Sequence, residues 1–497
     1  MKKMNLLAMS LVSAAALSFS SCSSNDDLAG GGTQSQADGV YMTLKISGAT
    51  SHGTRTGVTT DKTTDLNGEG VESTISKGML YIYDGSTCVF RKVITAEMFK
   101  KAPTQETPGE TKPIKVAVTG AITTGKKYDV YFLANNTSVN DPLAANASFT
   151  SAQGGAEFAE ENNFVMFNQN DASRDVAASK VEFTADNKSE DNPAAADVIK
   201  LDRVVARIDK PTFKEVTTVT PAADTKTSIN AGNVIEGIAL VGYAVSNLNN
   251  TSYVKQNWTQ VNTDWTLNVL TTGTPKYYLN KDTYGNKYKP EGLGNFSLDK
   301  WKYAFENTTT NVDEATAVYF KVKATLKEAA KNASDFRDGT FYRYDGRLYT
   351  SIQAIYDDAA TGAISNPFTE TNSITPLEVV NKIKDATTNK LTTNEDKLAE
   401  FRKTYKIEVY REGVMYYRWA ISDNAYKPFV ASDPTHTYSV LRNSIYRLTV
   451  TKVSEIGKDV PNGPEPDDPA KNPNFYMNVK VSINPWVLNE INNIELK

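Results

Sequence analysis

Histidine and cysteine are nearly absent from this chain of 497 residues, which has two of each. The histidines are His52 and His436, and the cysteines are Cys22 and Cys88. Structural and catalytic zinc sites draw mostly on these two residue types, and a Ser–His or Cys–His nucleophile needs the imidazole ring. The scarcity of both residues therefore argues against a His/Cys metal site and against a His-based catalytic triad.

The chain also lacks an excess of basic residues. It has 54 Lys and Arg against 58 Asp and Glu, and its formal net charge is -4 at pH 7. Proteins that bind nucleic acid usually carry a basic surface, so no nucleic-acid partner is predicted. Glycine-rich phosphate-binding motifs of the GxGxxG or Walker type are missing too.

Two stretches could hold a ligand, but each has a plainer interpretation. Residues 65–70 (DLNGEG) resemble the start of a calcium loop, yet position twelve is Ser76 instead of Glu, which favours a surface turn. Residues 415–419 (MYYRW) could line a sugar-binding surface, although such aromatic residues are more often core and cross-strand pairs. No local motif marks a pair of glycosidase carboxylates. We therefore expect no catalytic residues, no cofactor and no metal ligands.

The N-terminus carries an export signal. A basic start precedes an apolar run from 6 to 19 that is too short for a permanent membrane span. The run ends in Phe-Ser-Ser-Cys, which resembles a bacterial lipobox with Phe19 in place of the usual Leu. This predicts a signal peptide over residues 1–21 and acylation of Cys22. The alternative is an ordinary signal peptide with an incidental cysteine.

Along the remaining chain, stretches recur that read as β-strands, many of them with the period-two alternation of apolar and polar residues. The pattern predicts strands over residues 79–83, 88–94, 115–118, 127–134, 201–208, 234–245, 317–326, 341–344, 347–355, 406–410, 414–420 and 444–453. Two helices are expected, one after the capping box that joins Thr375 to Glu378 and one over residues 394–405. The sequence thus predicts a mainly β protein with two tandem β-sandwich domains and small helical decorations.

The predicted domain organisation follows changes of composition along the chain. We place an N-terminal β-sandwich domain over residues 56–199 and a C-terminal one over residues 200–456. Residues 457–474 are rich in Pro, Asp and Gly and form a predicted linker that cannot join a sheet. Residues 475–497 form the terminal segment.

Two short stretches at opposite ends of the chain have nearly the same sequence. Residues 40–47 read VYMTLKIS and residues 475–482 read FYMNVKVS, with Tyr, Met, Lys and Ser in common. The residues predicted to face a core are Val40, Met42, Leu44 and Ile46 in the first copy, and Phe475, Met477, Val479, Val481 and Ile483 in the second. A chain with two copies of one strand could fill one groove in two ways. The alternative is that both strands simply belong to one sandwich.

A loop with an accessible arginine follows the first copy. Residues 48–60 (GATSHGTRTGVTT) have the composition of an exposed loop, and Arg55 lies within it, directly before Thr56. An exposed loop with one arginine is a candidate site for a trypsin-like protease.

Together these segments resemble the fimbrillins of Bacteroidota, which are type V pilins, and among them the Mfa-like major subunit of short fimbriae. The segments that carry the resemblance are the lipobox at Cys22 with its following acidic residues, residues 41–57, LDRVVARI at 201–208, VMYYRW at 414–419, LRNSIYRLTV at 441–450, and FYMNVKVSINPW at 475–486 after the Pro-rich linker.

The resemblance implies a mechanism. Fimbrillins have transthyretin-like sandwich domains, reach the outer membrane as lipoproteins, and are cut after an arginine by an Arg-specific protease. By position that residue is Arg55, so residues 22–55 would be a propeptide that takes the first strand with it. The C-terminal donor strand of the next subunit would then fill the open groove.

The implied role is that of a structural shaft subunit of a surface fimbria that supports adhesion, and not that of an enzyme. Its partners would be copies of itself, accessory tip and base fimbrial proteins, the protease, and the outer membrane through the lipid of the precursor. One alternative is a monomeric, lipid-anchored adhesin or glycan-binding lipoprotein, whose C-terminal strand folds back into its own domain. A surface glycan hydrolase is a third reading that no motif supports.

Overall fold

The computed structural model describes residues 39–47, 72, 74–101, 113–171, 173–214, 216–220, 231–261, 264–270, 296–309, 315–368, 374–423, 438–460 and 477–485. Strands predominate in these residues and the helices are short, so the predicted mainly β fold is confirmed.

The strands of the N-terminal part are β1 (Val40–Leu44), β2 (Ile46–Ser47), β3 (Gly78–Asp84), β4 (Thr87–Ile94), β5 (Ile114–Val118), β6 (Lys126–Ala134), β7 (Ser148–Thr150), β8 (Met166–Asn168), β9 (Ser179–Phe183), β10 (Ala194–Ala195) and β11 (Ile199–Arg203). One helix, α1 (Ala96–Lys101), follows β4.

Two sheets enclose the first hydrophobic core. The smaller has the strand order β10-β1-β5, and the larger has the order β2-β11-β8-β6-β3-β4 with β9 also paired to β6. Strand β6 lies inside the larger sheet, as its almost continuous apolar sequence predicts. The core runs from Val40 to Val205 along the chain and receives Val254 and Phe305 from the second half.

The strands of the C-terminal part are β12 (Ala206–Asp209), β13 (Thr212–Phe213), β14 (Ile235–Ser246), β15 (Thr251–Tyr253), β16 (Asn257–Val261), β17 (Asp264–Asn268), β18 (Trp301–Ala304), β19 (Asn307–Thr309), β20 (Ala317–Leu326), β21 (Phe341–Tyr344), β22 (Arg347–Tyr349), β23 (Glu408–Tyr410), β24 (Val414–Ala420), β25 (Tyr438–Val440), β26 (Ser444–Val453) and β27 (Met477–Pro485). The helices are α2 (Ala231–Val234), α3 (Glu328–Asn332), α4 (Ile352–Ala360), α5 (Pro376–Ile383) and α6 (Glu395–Tyr405).

A second core lies between the sheet β13-β26-β12-β18, in which β27 also pairs with β26, and the sheet β14-β20-β24. This core extends along the chain from Ala206 to Ile456. A third, smaller core lies between the sheet β22-β21-β23 and the helices α4, α5 and α6. We call this third part of the molecule the helical lobe.

Both predicted helices of the lobe are confirmed. The Thr375 hydroxyl caps α5, and the Glu378 carboxylate accepts a hydrogen bond from the Thr375 backbone N–H at 2.7 Å. This pair of bonds is the predicted capping box. The side chain of Asn394 caps α6 by accepting a hydrogen bond from the Lys397 N–H at 3.1 Å. The predicted apolar face of α6 is buried in the lobe.

Two strand predictions are wrong in extent. The stretch 347–355 is a strand only as far as Tyr349, because Ser351 accepts a hydrogen bond from the Ala354 N–H and starts α4. The buried Ile352 and Ile355, three positions apart, fit this helix. The stretch 201–208 is two strands, since a bend at residues 204–205 passes the chain from the first sheet system to the second.

Candidate functional site

The N-terminal strand β1 lies in the middle of its three-stranded sheet. It runs antiparallel to β5, with Val40, Met42 and Leu44 opposite Val118, Val116 and Ile114. On its other side it pairs in parallel with the two residues of β10. Its backbone hydrogen bonds are therefore shared between two neighbours, and β1 fills a slot instead of covering an edge.

One face of this segment is part of the first core. Val40 is 6% exposed, and Met42, Leu44 and Ile46 are fully buried, whereas the alternate positions of β1 are partly exposed. Burial of a large aliphatic side chain stabilises a fold by about 1.5–3 kcal/mol. Removal of the segment would open an apolar groove between β5 and β10. That the strand is removed stays a prediction.

The chain then crosses from the small sheet to the large one. The Lys45 carbonyl accepts a hydrogen bond from the Ile199 N–H at 3.0 Å, and β2 pairs in parallel with β11 at Ile199 and Lys200. The segment 40–47 thus joins both sheets of the N-terminal sandwich.

The C-terminal strand β27 occupies a different kind of position. It pairs antiparallel with β26 of the same chain, and β12 and β13 pair with β26 in succession along its other side. The register places Met477, Val479, Val481 and Ile483 opposite Val453, Val450, Leu448 and Tyr446. These four residues of β26 are buried. Within the described residues β27 has one neighbouring strand, so it forms an edge of its sheet.

Several residues named in the sequence analysis fall outside the part of the chain that the structure describes. These are Cys22, Arg55, Thr56, Phe475, both histidines and the stretch 65–70. The aromatic strand β24 is described, and its Met415, Tyr417 and Trp419 are buried in the second core. This confirms the core interpretation of those three side chains.

The first residue described after Ser47 is Glu72, and it is firmly held. Its side chain is fully buried, and its carboxylate accepts hydrogen bonds from Arg207 Nη1 at 2.9 and 3.0 Å and from the Tyr303 hydroxyl at 2.6 Å. The backbone carbonyl of Glu72 accepts a hydrogen bond from Arg203 Nε at 2.9 Å. Arg203 belongs to β11 and Arg207 to β12, so Glu72 connects the chain after the predicted cleavage loop to both sandwiches.

The charges of this junction are matched. Burial lowers the pKa of the Arg203 guanidinium to about 10, which leaves it charged at neutral pH. Burial also acts to lower the pKa of Arg207, but Asp209 and Glu72 outweigh it and hold that pKa above its usual value. Burial raises the pKa of Tyr303, and the hydrogen bond to Glu72 adds to the increase, so its hydroxyl remains a donor.

Sequence reasoning missed two parts of this region. Strand β10 is a pair of alanines without alternation, so no local signal marks it as the second wall of the slot. Glu72 stands in a polar stretch that reads as a loop. The available signal was the pair Arg203 and Arg207 on either side of the apolar residues 204–206, because buried arginines require acidic or carbonyl partners.

No cluster of three or more His, Cys, Asp or Glu side chains suited to a metal ion occurs in the described residues. In the same part of the chain no helix combines the length and the apolar character that crossing a membrane requires.

Residues 408–492 match the family model described as major fimbrial subunit protein type IV, fimbrillin, C-terminal. The matched region contains β23 to β27. The resemblance to fimbrillins expected from the sequence is therefore confirmed in the C-terminal region. A comparison with curated protein sequences gave no match.

Three of the solved structures that the chain matches are fimbrial proteins. The fimbrillin FimA of Porphyromonas gingivalis is 14% identical, with 90% of this chain and 98% of that chain covered and a TM-score of 0.39. The tip fimbrial protein Mfa3 of the same species is 11% identical, with coverage of 90% and 99% and a TM-score of 0.35. A fimbrial assembly protein of Parabacteroides distasonis is 14% identical, with coverage of 58% and 85% and a TM-score of 0.31.

The alternation along β1 generates a prediction. Met42→Ala removes a fully buried side chain and leaves a cavity, so we expect the free energy of unfolding to fall by about 2–5 kcal/mol. Tyr41→Ala, at the adjacent and partly exposed position, should cost clearly less. Urea unfolding of the uncleaved chain measures both. Equal losses in the two variants would contradict a core-facing Met42.

The junction at Glu72 generates a second prediction. Glu72→Ala removes the buried carboxylate to which Arg207 Nη1 and the Tyr303 hydroxyl are bonded, and we expect a loss of about 3–5 kcal/mol in unfolding free energy. The control is Glu182→Ala, which removes a solvent-exposed pair with Lys127 and should change stability little. If both variants melt at the wild-type temperature, the junction does not stabilise the fold.

Proposed function

We propose that this chain is a structural shaft subunit of a surface fimbria and that it polymerises by protease-triggered donor-strand exchange. The observation that carries the proposal is the different placement of the two similar strands. The copy in β1 fills a slot between two strands, and the copy in β27 lies at an edge that pairs on one side. The fimbrillin match over residues 408–492 supports the fimbrial role.

The second copy suits the groove of the first. Alignment of the two sequences puts Met477 at the position of Met42, Val479 at that of Leu44 and Val481 at that of Ile46. At these three positions one side chain is identical and two are one carbon smaller, so a neighbour's strand would enter them without overpacking. At the fourth position Phe475 is larger than its counterpart Val40, so the groove would have to widen there. It would gain main-chain hydrogen bonds on both sides, which is how strand addition provides affinity.

Proteolysis would act as the switch because it changes the competition for the groove. While β1 is covalently attached, it competes at a high effective concentration and keeps the groove covered. A cut after Arg55 makes β1 a separate peptide that can leave. Glu72 stays fixed to Arg203 and Arg207, so the same cut leaves the downstream chain in place.

The energies are of a suitable size. Four buried side chains at about 1.5–3 kcal/mol each set an upper figure of roughly 6–12 kcal/mol for the segment before ordering costs. Loss of this burial explains why an empty groove would take up another strand. Donation from each subunit to the next is a heterologous contact that need not close, so it yields a filament.

The remaining features of the proposal come from the sequence. The precursor would be a lipoprotein acylated at Cys22 and held at the outer membrane, and the mature subunit would be part of a cell-surface fimbrium that supports adhesion. A subunit with both a groove and a donor strand suits the shaft. Accessory tip and base proteins and an Arg-specific protease would be its partners.

A second candidate function is a monomeric, lipid-anchored adhesin. One observation favours it, which is that β27 pairs with β26 of its own chain over the full length of β27. In that case β1 would stay in its slot, Cys22 would remain the anchor, and no polymer would form.

The role of Arg55 can be tested directly. Arg55→Ala should leave the protein uncleaved, lipid-bound and monomeric, whereas wild type should begin at Thr56 and form a ladder of polymers on SDS gels without boiling. N-terminal sequencing of surface-sheared protein and the gel give the two readouts. Lys62→Ala, which changes another basic residue a short distance along the chain, is the control and should behave as wild type.

A mature chain that starts at acylated Cys22, with no polymer, would favour the anchored adhesin. If Arg55→Ala formed the same ladder of polymers as wild type, assembly would not require cleavage after Arg55.

The donor strand has its own test. Val481→Asp would place a carboxylate at the position of the fully buried Ile46, so cleavage should proceed while polymers fail to form. Asn478→Asp is the control, because it aligns with Thr43, on the partly exposed face of β1. Normal polymerisation of Val481→Asp would contradict donation of this strand. A thermal melt of each monomer verifies that the variants fold.

A further inference from the structure

The short segment 454–460 follows β26 and includes the first four residues of the predicted linker, and side chains hold it by hydrogen bonds to its backbone. Three successive carbonyl groups each accept a hydrogen bond from a side chain: Glu455 O from the Tyr417 hydroxyl at 2.9 Å, Ile456 O from Arg343 Nη1 at 3.3 Å, and Gly457 O from the Tyr410 hydroxyl at 2.8 Å. All three donors are at least nine-tenths buried, so water does not compete for these bonds.

The next two residues are fixed as well. Lys458 and Tyr416 exchange both backbone hydrogen bonds at 2.8 Å. The buried Asp459 carboxylate accepts one hydrogen bond from Arg402 Nε and another, at 2.9 Å, from the Val409 N–H. Bonds between charged groups of this kind are among the strongest in proteins.

Close packing also fixes the position of the segment. Ile456 is fully buried and Val460 is 5% exposed. A Cβ added at Gly457 would come within 2.5 Å of the Tyr416 carbonyl oxygen and 2.9 Å of the Tyr417 ring. Only glycine permits this approach of the two backbones.

The groups that hold the segment come from several elements. Arg343 lies on β21, Tyr410 ends β23, Tyr417 lies on β24 and Arg402 lies on α6. Arg343 is itself bonded to Glu408, through Nη2 at 2.9 Å, which fixes its orientation. The helical lobe and the second sandwich therefore hold the segment jointly.

We propose that residues 454–460 form a mechanical anchor at the root of the donor arm. This inference rests on the proposed strand donation, in which the arm beyond Val460 is the covalent link that holds the next subunit. A pulling force along the filament then acts on each subunit at Val460. The hydrogen bonds that hold the segment must break before this force acts on β26. The anchor passes the load to β21, β23, β24 and α6 and protects the sheet of β26.

The two tyrosine hydroxyls offer a selective test. The double variant Tyr410→Phe/Tyr417→Phe removes two of the three carbonyl bonds and keeps both rings. The matched control is Tyr349→Phe/Tyr356→Phe. The hydroxyls of that pair bond Asp358 and the Ile374 carbonyl in the same lobe and have no hydrogen bond to the segment.

Filaments of processed protein are sheared under fixed conditions and pulled one at a time by force spectroscopy. The double variant should form the same polymer ladder as wild type, but its median length after shear should fall several-fold. Its traces should show, at a lower force than wild type, an early extension of at most roughly 25 Å per subunit, because the gain is the extended length of residues 454–460 less the distance that they span when folded. The control should match wild type in both readouts.

Equal shear lengths and identical traces for wild type and double variant would overturn the anchor while strand exchange stands. A wild-type protein that forms no filament at all would overturn both proposals. If the thermal melt shows that the double variant does not fold, filaments of Tyr417→Phe alone are sheared and pulled instead. Equal shear lengths and identical traces for that variant and wild type would again overturn the anchor.

Discussion

The structure depends on one requirement of a strand inside a sheet. Such a strand must form backbone hydrogen bonds with a neighbour on each side and bury one face in the core. Strand β1 meets all three demands, with β5 on one side, β10 on the other and fully buried Met42 and Leu44 beneath it. Such a strand cannot be absent without exposing apolar surface and unpaired backbone groups. A protein that carries a second copy of the strand therefore has a replacement of similar sequence for a position where loss would be costly.

The junction around Glu72 determines what a cut in the preceding loop can separate. Residues 40–47 are held by sheet pairing and apolar contacts, which a similar strand can reproduce. Glu72 is held by Arg203, Arg207 and Tyr303 through buried charge-assisted bonds that depend on those particular side chains. The chain thus changes from exchangeable contacts to specific ones within the stretch between Ser47 and Glu72.

The sequence predicted most of the fold where the signal is local. The strands β20, β24 and β26 show regular alternation, and the helices α5 and α6 begin at recognisable caps, so each was found from a short window. The errors have local causes as well, since Ser351 starts a helix inside an apolar stretch that also suits a strand. The walls of the slot, the Glu72 junction and the grip on residues 454–460 join residues far apart in the chain. Alternation and capping say nothing about such pairs.

The two similar strands occupy positions with different numbers of neighbouring strands, and in the proposed exchange this difference would give assembly a direction. On β26 the strand β27 covers one edge, whereas the slot of β1 offers pairing on two sides above a closed core. In the proposed exchange, transfer of a strand with the sequence of β27 from an edge to such a slot would add hydrogen-bonded neighbours. The transfer would be blocked as long as the covalently linked β1 competes for the slot at high effective concentration. A single peptide-bond cleavage would therefore be sufficient to turn a stable monomer into a subunit that is more stable when joined to its neighbour.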